Sequence, residues 1–166
     1  LFPYTTLFRS RFLEQGARVC ALDVSDDALA RLPDVPEILK VAVNVAERHS
    51  VEQAQARLQD AWGTADVLMN NAATKSENFF APFEDFPLED WNQVMGVNLT
   101  GAMLCCQVFG APMAARGQGA IVNTLSIYGI VNRLAQDLAR RLRAGPVTLA
   151  AISQAAARSS RRCGKR

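Results

Sequence analysis

Ala65-Asp66-Val67-Leu68-Met69-Asn70-Asn71-Ala72-Ala73 is the stretch on which the reading of this chain turns. Its apolar run, Val67-Leu68-Met69, is too short for a helix and has no polar side, the pattern of a parallel strand buried on both faces. The run delivers two asparagines and two alanines. In doubly wound α/β sheets ligands bind beyond the carboxyl ends of the strands, where small side chains let a ligand approach the backbone. Function is therefore sought at this end.

Working outward, the same rhythm repeats on both sides. Upstream, Glu47 to Trp62 places Val51, Ala54, Leu58, Ala61 and Trp62 at helical spacing, and Gly63 stops the helix. Ile38 to Val45 alternates as a strand ending at Asn44-Val45, and Ala17 to Asp23 is a β-rich run ending in an acid. Between them Ser25 is a helix cap, with Asp26 and Asp27 in a first turn whose dipole favours carboxylates; that helix is predicted to run through Leu32. Arg11 to Gly16 reads as the last turns of a helix closed by glycine. Downstream, Asn78 to Pro87 is an aromatic, proline-containing loop, either one wall of a cleft or a packed connection. Leu88 to Ala115 is predicted as one long helix with an apolar face through Trp91, Met95, Leu99, Ala102, Cys106 and Phe109. Gly119 to Ser126 is a further buried strand. Strand alternating with helix predicts an α/β fold, a doubly wound parallel sheet with helices on both faces.

With 166 residues, 49% apolar and 20% charged, the chain has the size and balance of one soluble globular domain. No stretch approaches the ~18 consecutive apolar residues of a membrane span, and no basic segment precedes an apolar signal core. A cytoplasmic protein without a membrane partner is expected. The four cysteines lack metal-ligand spacing, so no metal is expected, and they read as buried thiols of a reducing compartment. The net charge of +2 hides an asymmetry: nine Lys/Arg face fifteen Asp/Glu through Val131, and nine face Asp137 alone afterwards. From Asn132 the texture turns to Ala, Arg, Leu and Ser, without an aromatic residue or an interleaved nucleic-acid-binding pattern. No nucleic-acid partner is expected.

Asp23, at a strand end, can accept hydrogen bonds from ribose hydroxyls and would repel a 2′-phosphate; it can equally just open the turn into the Ser25 helix. No Arg or Lys follows it closely, which favours NAD over NADP. Asn70 and Asn71 can satisfy backbone groups while Ala72 and Ala73 leave room for a flat ligand, or the four can form a simple turn. Asn98 borders an apolar helix stripe and should find partners inside, which gives it a structural or proton-relay role. Ser126 can bond a substrate oxygen or cap a turn. His49 reads as a solvated capping residue, and Tyr128 as an edge aromatic.

Taken in order, these pieces resemble the short-chain dehydrogenases/reductases, over Arg11 to about Val131. Asp23 looks like that family's ribose-binding acid, Asn44-Val45 like its adenine-contacting pair, and Asn70-Asn71-Ala72-Ala73 like its Asn-Asn-Ala-Gly motif with the last glycine replaced. Val97-Asn98-Leu99 is similar to the segment bearing its catalytic asparagine, and Gly119 to Ser126 to the strand presenting its catalytic serine. The resemblance implies NAD-dependent hydride transfer to or from a small-molecule alcohol or carbonyl substrate. It assigns cofactor contacts to Asp23, Asn44, Val45, Asn71, Ala72 and Ala73, and catalytic roles to Asn98 and Ser126. It also implies a homo-oligomer built on the long helix.

The departures from the pattern are equally specific. The family's first strand and glycine-rich turn, which bring the cofactor's phosphates to a helix start, are missing before Arg11. The resemblance puts that strand between Ala17–Asp23 and Ala65–Asn70, so its loss predicts poor solubility or a rearrangement in which those two strands pair. Residues 1–10 fit no strand or helix template well and resemble a translated sequencing adapter. They are read as non-native, residues 11–131 as a partial NAD-binding Rossmann domain, and 132–166 as an atypical tail that an altered reading frame between Ser126 and Asn132 would explain. The family's Tyr-x-x-x-Lys motif is absent: position 132, four after Tyr128, is asparagine, and no later tyrosine exists. That tyrosine is the family's general acid/base, a type of group worth ~10²–10⁴ in rate, so little turnover is expected. The alternative is a non-catalytic nucleotide-binding or interaction module.

Overall fold

The computed structural model describes residues 4–125, and their side chains from Phe8 onward. The described residues up to Thr124 belong to one compact unit in which strand and helix alternate. Helix α1, Tyr4–Glu14, takes in residues of the 1–10 segment, which was read as fitting no helix template. Extending an existing helix by a residue is far easier than nucleating one, so the Arg11–Glu14 turn carries the helix back through residues that would not start it. Its end is as read: Gly16 at φ 80° lets its N–H reach the Leu13 carbonyl (2.9 Å) and the Ala17 N–H reach Phe12 (3.0 Å), a Schellman closure.

Strand β1 (Val19–Asp23), helix α2 (Asp26–Ala30) and strand β2 (Ile38–Ala42) form the first βαβ unit. β1 and β2 are parallel, Val19 opposite Ile38 and Asp23 opposite Ala42. Ser25 caps α2 as predicted, its Oγ accepting the Ala28 N–H at 3.2 Å. β2 ends earlier than Val45 because Asn44 Oδ1 accepts the Ala46 N–H (3.1 Å), an Asx turn that competes with strand pairing. Helix α3 (Arg48–Trp62) buries Val51, Ala54 and Leu58, and strand β3 (Val67–Asn70) follows. β3 pairs in parallel with β4 (Ala120–Asn123), Val67 opposite Ala120 and Asn70 opposite Asn123.

The predicted long helix is three segments: α4 (Leu88–Met95), a π-helical stretch (Gly96–Gly101) and α5 (Ala102–Arg116). The wider π winding shifts the phase of everything after it. The buried stripe of α5 is therefore Leu104, Cys105, Phe109 and Met113, while Trp91 and Leu99, expected inside, are exposed. The run Leu88–Arg116 is long and apolar enough, by length and composition, to cross a membrane. Here α5 supplies Leu104, Cys105, Phe109 and Met113 to a core shared with Val41, Val43, Val51, Ala54, Leu58 and Leu68.

β1 and β3 do not pair; the strands form two two-stranded sheets, β1–β2 and β3–β4. The order of the four strands follows from handedness. α3 and α5 pack on each other and share one core, so they cover the same face. α2 touches β1 and β2 from the opposite face, where Leu29 and Ile38 are buried apart from that core. With right-handed crossovers, β1 then lies on the β3 side of β2, and the order across the unit is β2, β1, an opening, β3, β4. The expected rearrangement is thus not adopted: a side-by-side helix layer, ~10 Å per helix, holds the ladders apart at its own spacing rather than at the ~4.8 Å of paired strands.

Candidate functional site

Two contacts put the carboxyl ends of β2 and β3 on one rim, at the start of α5. A Cβ on Gly101 would lie 2.8 Å from Val45 Cγ2 and 3.2 Å from its carbonyl oxygen, so only glycine admits this approach. Asn70 Nδ2 lies 3.5 Å from the Ala102 carbonyl. β1 and β4 join the rim through their parallel registers, which end at Asp23–Ala42 and Asn70–Asn123. Asp23, Asn44, Val45 and Asn70–Ala73 therefore share it. Ser126 lies outside the described residues, as do Tyr128 and the 132–166 tail.

Each predicted residue can now be placed. Asp23 is exposed and does open the turn, its Oδ1 accepting the Ser25 N–H at 3.0 Å. Its Oδ2 has no hydrogen bond among the described residues. Asn44 spends its side chain locally, Nδ2 donating to Glu47 Oε1 at 2.7 Å, and Val45 is half-buried against Gly101. Asn71 is half-buried, while Ala72 and Ala73 are exposed. His49 is exposed near the start of α3, where it was expected to be solvated.

Asn98 departs from its reading. It is exposed, and its partners are in the loop after β3: Oδ1 accepts the Thr74 N–H at 2.7 Å and Nδ2 donates to the Thr74 carbonyl at 3.0 Å. The amide behaves as one more strand residue pairing with Thr74. It sits within the π stretch, a winding often found at functional positions. Thr74 was invisible in the sequence because its role is wholly main-chain.

A second amide pair joins the carboxyl ends of β3 and β4. Asn70 Nδ2 donates to Asn123 Oδ1 (2.8 Å) and also lies 3.2 Å from Cys106 Sγ. Asn123 went unread as a site residue because only the strand register sets it opposite Asn70. The neighbouring Cys105 is buried, and desolvation pushes its thiol up to about 11; burial does the same to Cys20. Both stay protonated and unreactive near neutrality, as expected for structural thiols.

Beyond Thr74, a polar cavity of about 310 Å³ is lined by Lys75, Glu77, Asn78, Asp90 and Gln93. Asn78 Nδ2 donates to Asp90 Oδ2 at 3.0 Å and holds that carboxyl below its usual range. Phe79, Phe80 and Phe83 are exposed, so the aromatic loop is not a packed connection. Among the described residues no group of His, Cys, Asp and Glu is arranged to hold a metal.

Parallel strands separated by helices, with an acid and paired asparagines on one rim, define a Rossmann-like α/β unit. The short chain dehydrogenase family profile matches residues 8–138, and the chain belongs to this family. It is 33% identical over 128 residues to 2-(R)-hydroxypropyl-CoM dehydrogenase of Xanthobacter autotrophicus, covering 74% of this chain and 51% of that protein. It is 30% identical to NAD-dependent glycerol dehydrogenase of Listeria innocua, covering 72% and 47%. Among solved structures, serine dehydrogenase from Escherichia coli superposes with a TM-score of 0.66 at 27% identity, over 72% of this chain and 55% of that one. The chain thus spans about half the length of the curated relatives it matches.

Proposed function

We propose that the protein is an NAD-linked oxidoreductase that moves hydride between the nicotinamide and a small alcohol or carbonyl compound in the cytoplasm, as a homo-oligomer without membrane or nucleic-acid partners. One observation carries the reading: Asp23, Asn44–Val45 and Asn70–Ala73 share a single rim. The residues suit the cofactor's adenosine half. Asp23 keeps Oδ2 for ribose hydroxyls while Oδ1 holds the turn, and its charge disfavours a 2′-phosphate, so NAD is preferred to NADP. The name of the Listeria innocua relative, NAD-dependent, supports the same preference. Asn44 and Val45 are assigned to the adenine edge, and Asn71, Ala72 and Ala73 to the strand end where a flat group needs small neighbours.

When bound, NAD supplies the hydride chemistry, and the protein supplies orientation and electrostatics. Asn98 anchors the Thr74 segment beside the reactive end and so fixes the path of the loop next to the substrate. Ser126 is assigned to hold the substrate oxygen. With no Tyr-x-x-x-Lys motif in the sequence, this chain is proposed to bind far better than it turns over, which also supports the second reading, a nucleotide-binding module.

Calorimetry tests both. NAD and ADP-ribose are expected to bind this chain with similar affinity, NADP at least about tenfold more weakly, and Asp23→Asn to narrow that gap. Hydride transfer to NAD with a panel of small alcohols separates the readings: turnover supports the dehydrogenase, and binding without turnover the module. No binding of either nucleotide overturns both.

A further inference from the structure

Where α5 passes the carboxyl ends of β3 and β4, three acceptors stand before one amide. Asn70 Nδ2 lies 2.8 Å from Asn123 Oδ1, 3.2 Å from Cys106 Sγ and 3.5 Å from the Ala102 carbonyl oxygen. Ala102 and Cys106 are one helical turn apart, so their two acceptors stack along one line of α5. An amide has two N–H groups and one oxygen, and the opposite flip would set that oxygen against all three acceptors. Cys106 is a donor as well: its Sγ lies 3.9 Å from Asn123 Oδ1, toward which the S–H is a weak donor. Among the described cysteines it is the one whose sulfur meets side-chain amides, whereas its neighbour Cys105 is buried in the core.

We infer that Cys106 is a positioning residue: its thiol closes a ring with Asn70 and Asn123 that holds the two strand-end amides in one orientation, and with them the chain that runs on from each. From Asn70 that chain leads directly to Asn71, Ala72 and Ala73, and from Asn123 it reaches Ser126 three residues later. Alanine in place of Cys106 would leave the ring open, because a methyl group neither accepts the Asn70 N–H nor donates to Asn123. Serine, nearly the same size as alanine, keeps both an acceptor and a donor at this point. The ring stands on the hydrogen bonds alone; its consequence for the cofactor rests on the NAD reading proposed above.

The test compares Cys106→Ala and Cys106→Ser in the full chain, with water exchange of the Asn70 side-chain amide read by heteronuclear NMR. Cys106→Ala is expected to speed that exchange about fivefold, and Cys106→Ser to keep it within about twofold of the parent. The main-chain amides of Val51 and Ala120, bonded to Glu47 and Asp66, report on the fold and should hold their rates in both variants. In calorimetry NAD should bind about threefold more weakly to Cys106→Ala and as in the parent to Cys106→Ser. Unchanged Asn70 exchange in Cys106→Ala overturns the proposal. Equal acceleration in the two variants also overturns it, since the sulfur would then be a packing group only. The same holds for acceleration that extends equally to Val51 and Ala120, because the fold rather than the ring has loosened. Asn70 exchange that responds as expected while NAD affinity stays fixed removes the positioning role and leaves NAD binding intact. A parent chain that binds no NAD overturns the NAD reading instead, and the amide exchange still decides the ring.

Discussion

β1–β2 and β3–β4 are both short parallel pairs of apolar sequence, yet they meet very different surroundings. In the first, Val41 is 3% exposed on the α3 side and Ile38 8% exposed on the α2 side, so the ladder is covered on both faces. In the second, Leu68 is buried under α5, while Val67 and Val122 remain more than 40% exposed on the opposite face. The chemistry at their ends differs in the same sense. β1–β2 ends in groups committed to local turns, Asp23 to Ser25 and Asn44 to Ala46. β3–β4 ends in groups that bind across long sequence separations, Asn70 to Asn123 and Thr74 to Asn98. One ladder is a finished frame, and the other depends on what lies against it.

The largest expected effect comes from the residue that serves both ladders. Phe109, 4% exposed, sits on α5 in the core shared with Val41 and Leu68. Phe109→Ala is expected to cost about 3–5 kcal/mol in urea unfolding, with both ladders lost in one transition. Two transitions would show that the frame folds alone. The next test compares the ladders directly. Val41→Ala removes buried methyls and should cost about 2 kcal/mol, whereas Val122→Ala, 43% exposed, should stay within about 0.5 kcal/mol. Equal losses would mean that the open face of β3–β4 is covered in solution.

The alternation of elements was legible because apolar period and glycine punctuation are local signals: Ser25 caps its helix, Gly63 follows α3, and all four strands fall inside predicted runs. What the sequence hid was non-local. A stripe drawn from Trp91 to Phe109 assumes uninterrupted α winding, and the π stretch broke it. That stretch carries an amide bonded to a loop whose position depends on the fold. Asn98 was read as an amide with partners inside, whereas its partners are the main-chain groups of Thr74 in the loop after β3, and Asn123 became visible only with the strand register. Placement of candidate residues on a common rim followed from topology, and their individual bonds did not.

The thiols sharpen the comparison along the pH axis. Cys20 belongs to the finished ladder and Cys105 to the helix over the open one, and burial raises each from 9.0 to about 11. A folded pKa above the unfolded one favours the native state while the thiol is protonated. Stability should therefore be complete below 9.0 and fall as pH rises through about 11. Urea midpoints across this window should decline, and Cys105→Ala should flatten part of the decline. A midpoint independent of pH in the parent chain would mean that these thiols reach water.

The smallest effect separates two helix starts that look alike in sequence. α2 begins at Ser25, whose Oγ takes the Ala28 N–H, while Asp23 Oδ1 takes the N–H of Ser25 itself. α3 begins at Glu47, which makes no side-chain cap and gives Oε1 to Asn44 instead. Ser25→Ala should therefore cost about 1 kcal/mol, and Glu47→Ala less than about half of that, because an exposed side-chain bond is readily replaced by water. The order matters for the site. Losing the Ser25 cap loosens the turn that positions Asp23, so this variant should weaken NAD binding as well as lower stability, while Glu47→Ala should leave binding unchanged. If both substitutions weakened NAD equally, the proposed cofactor contacts would rest on Asn44 as much as on Asp23, and the finished ladder would have two anchoring turns.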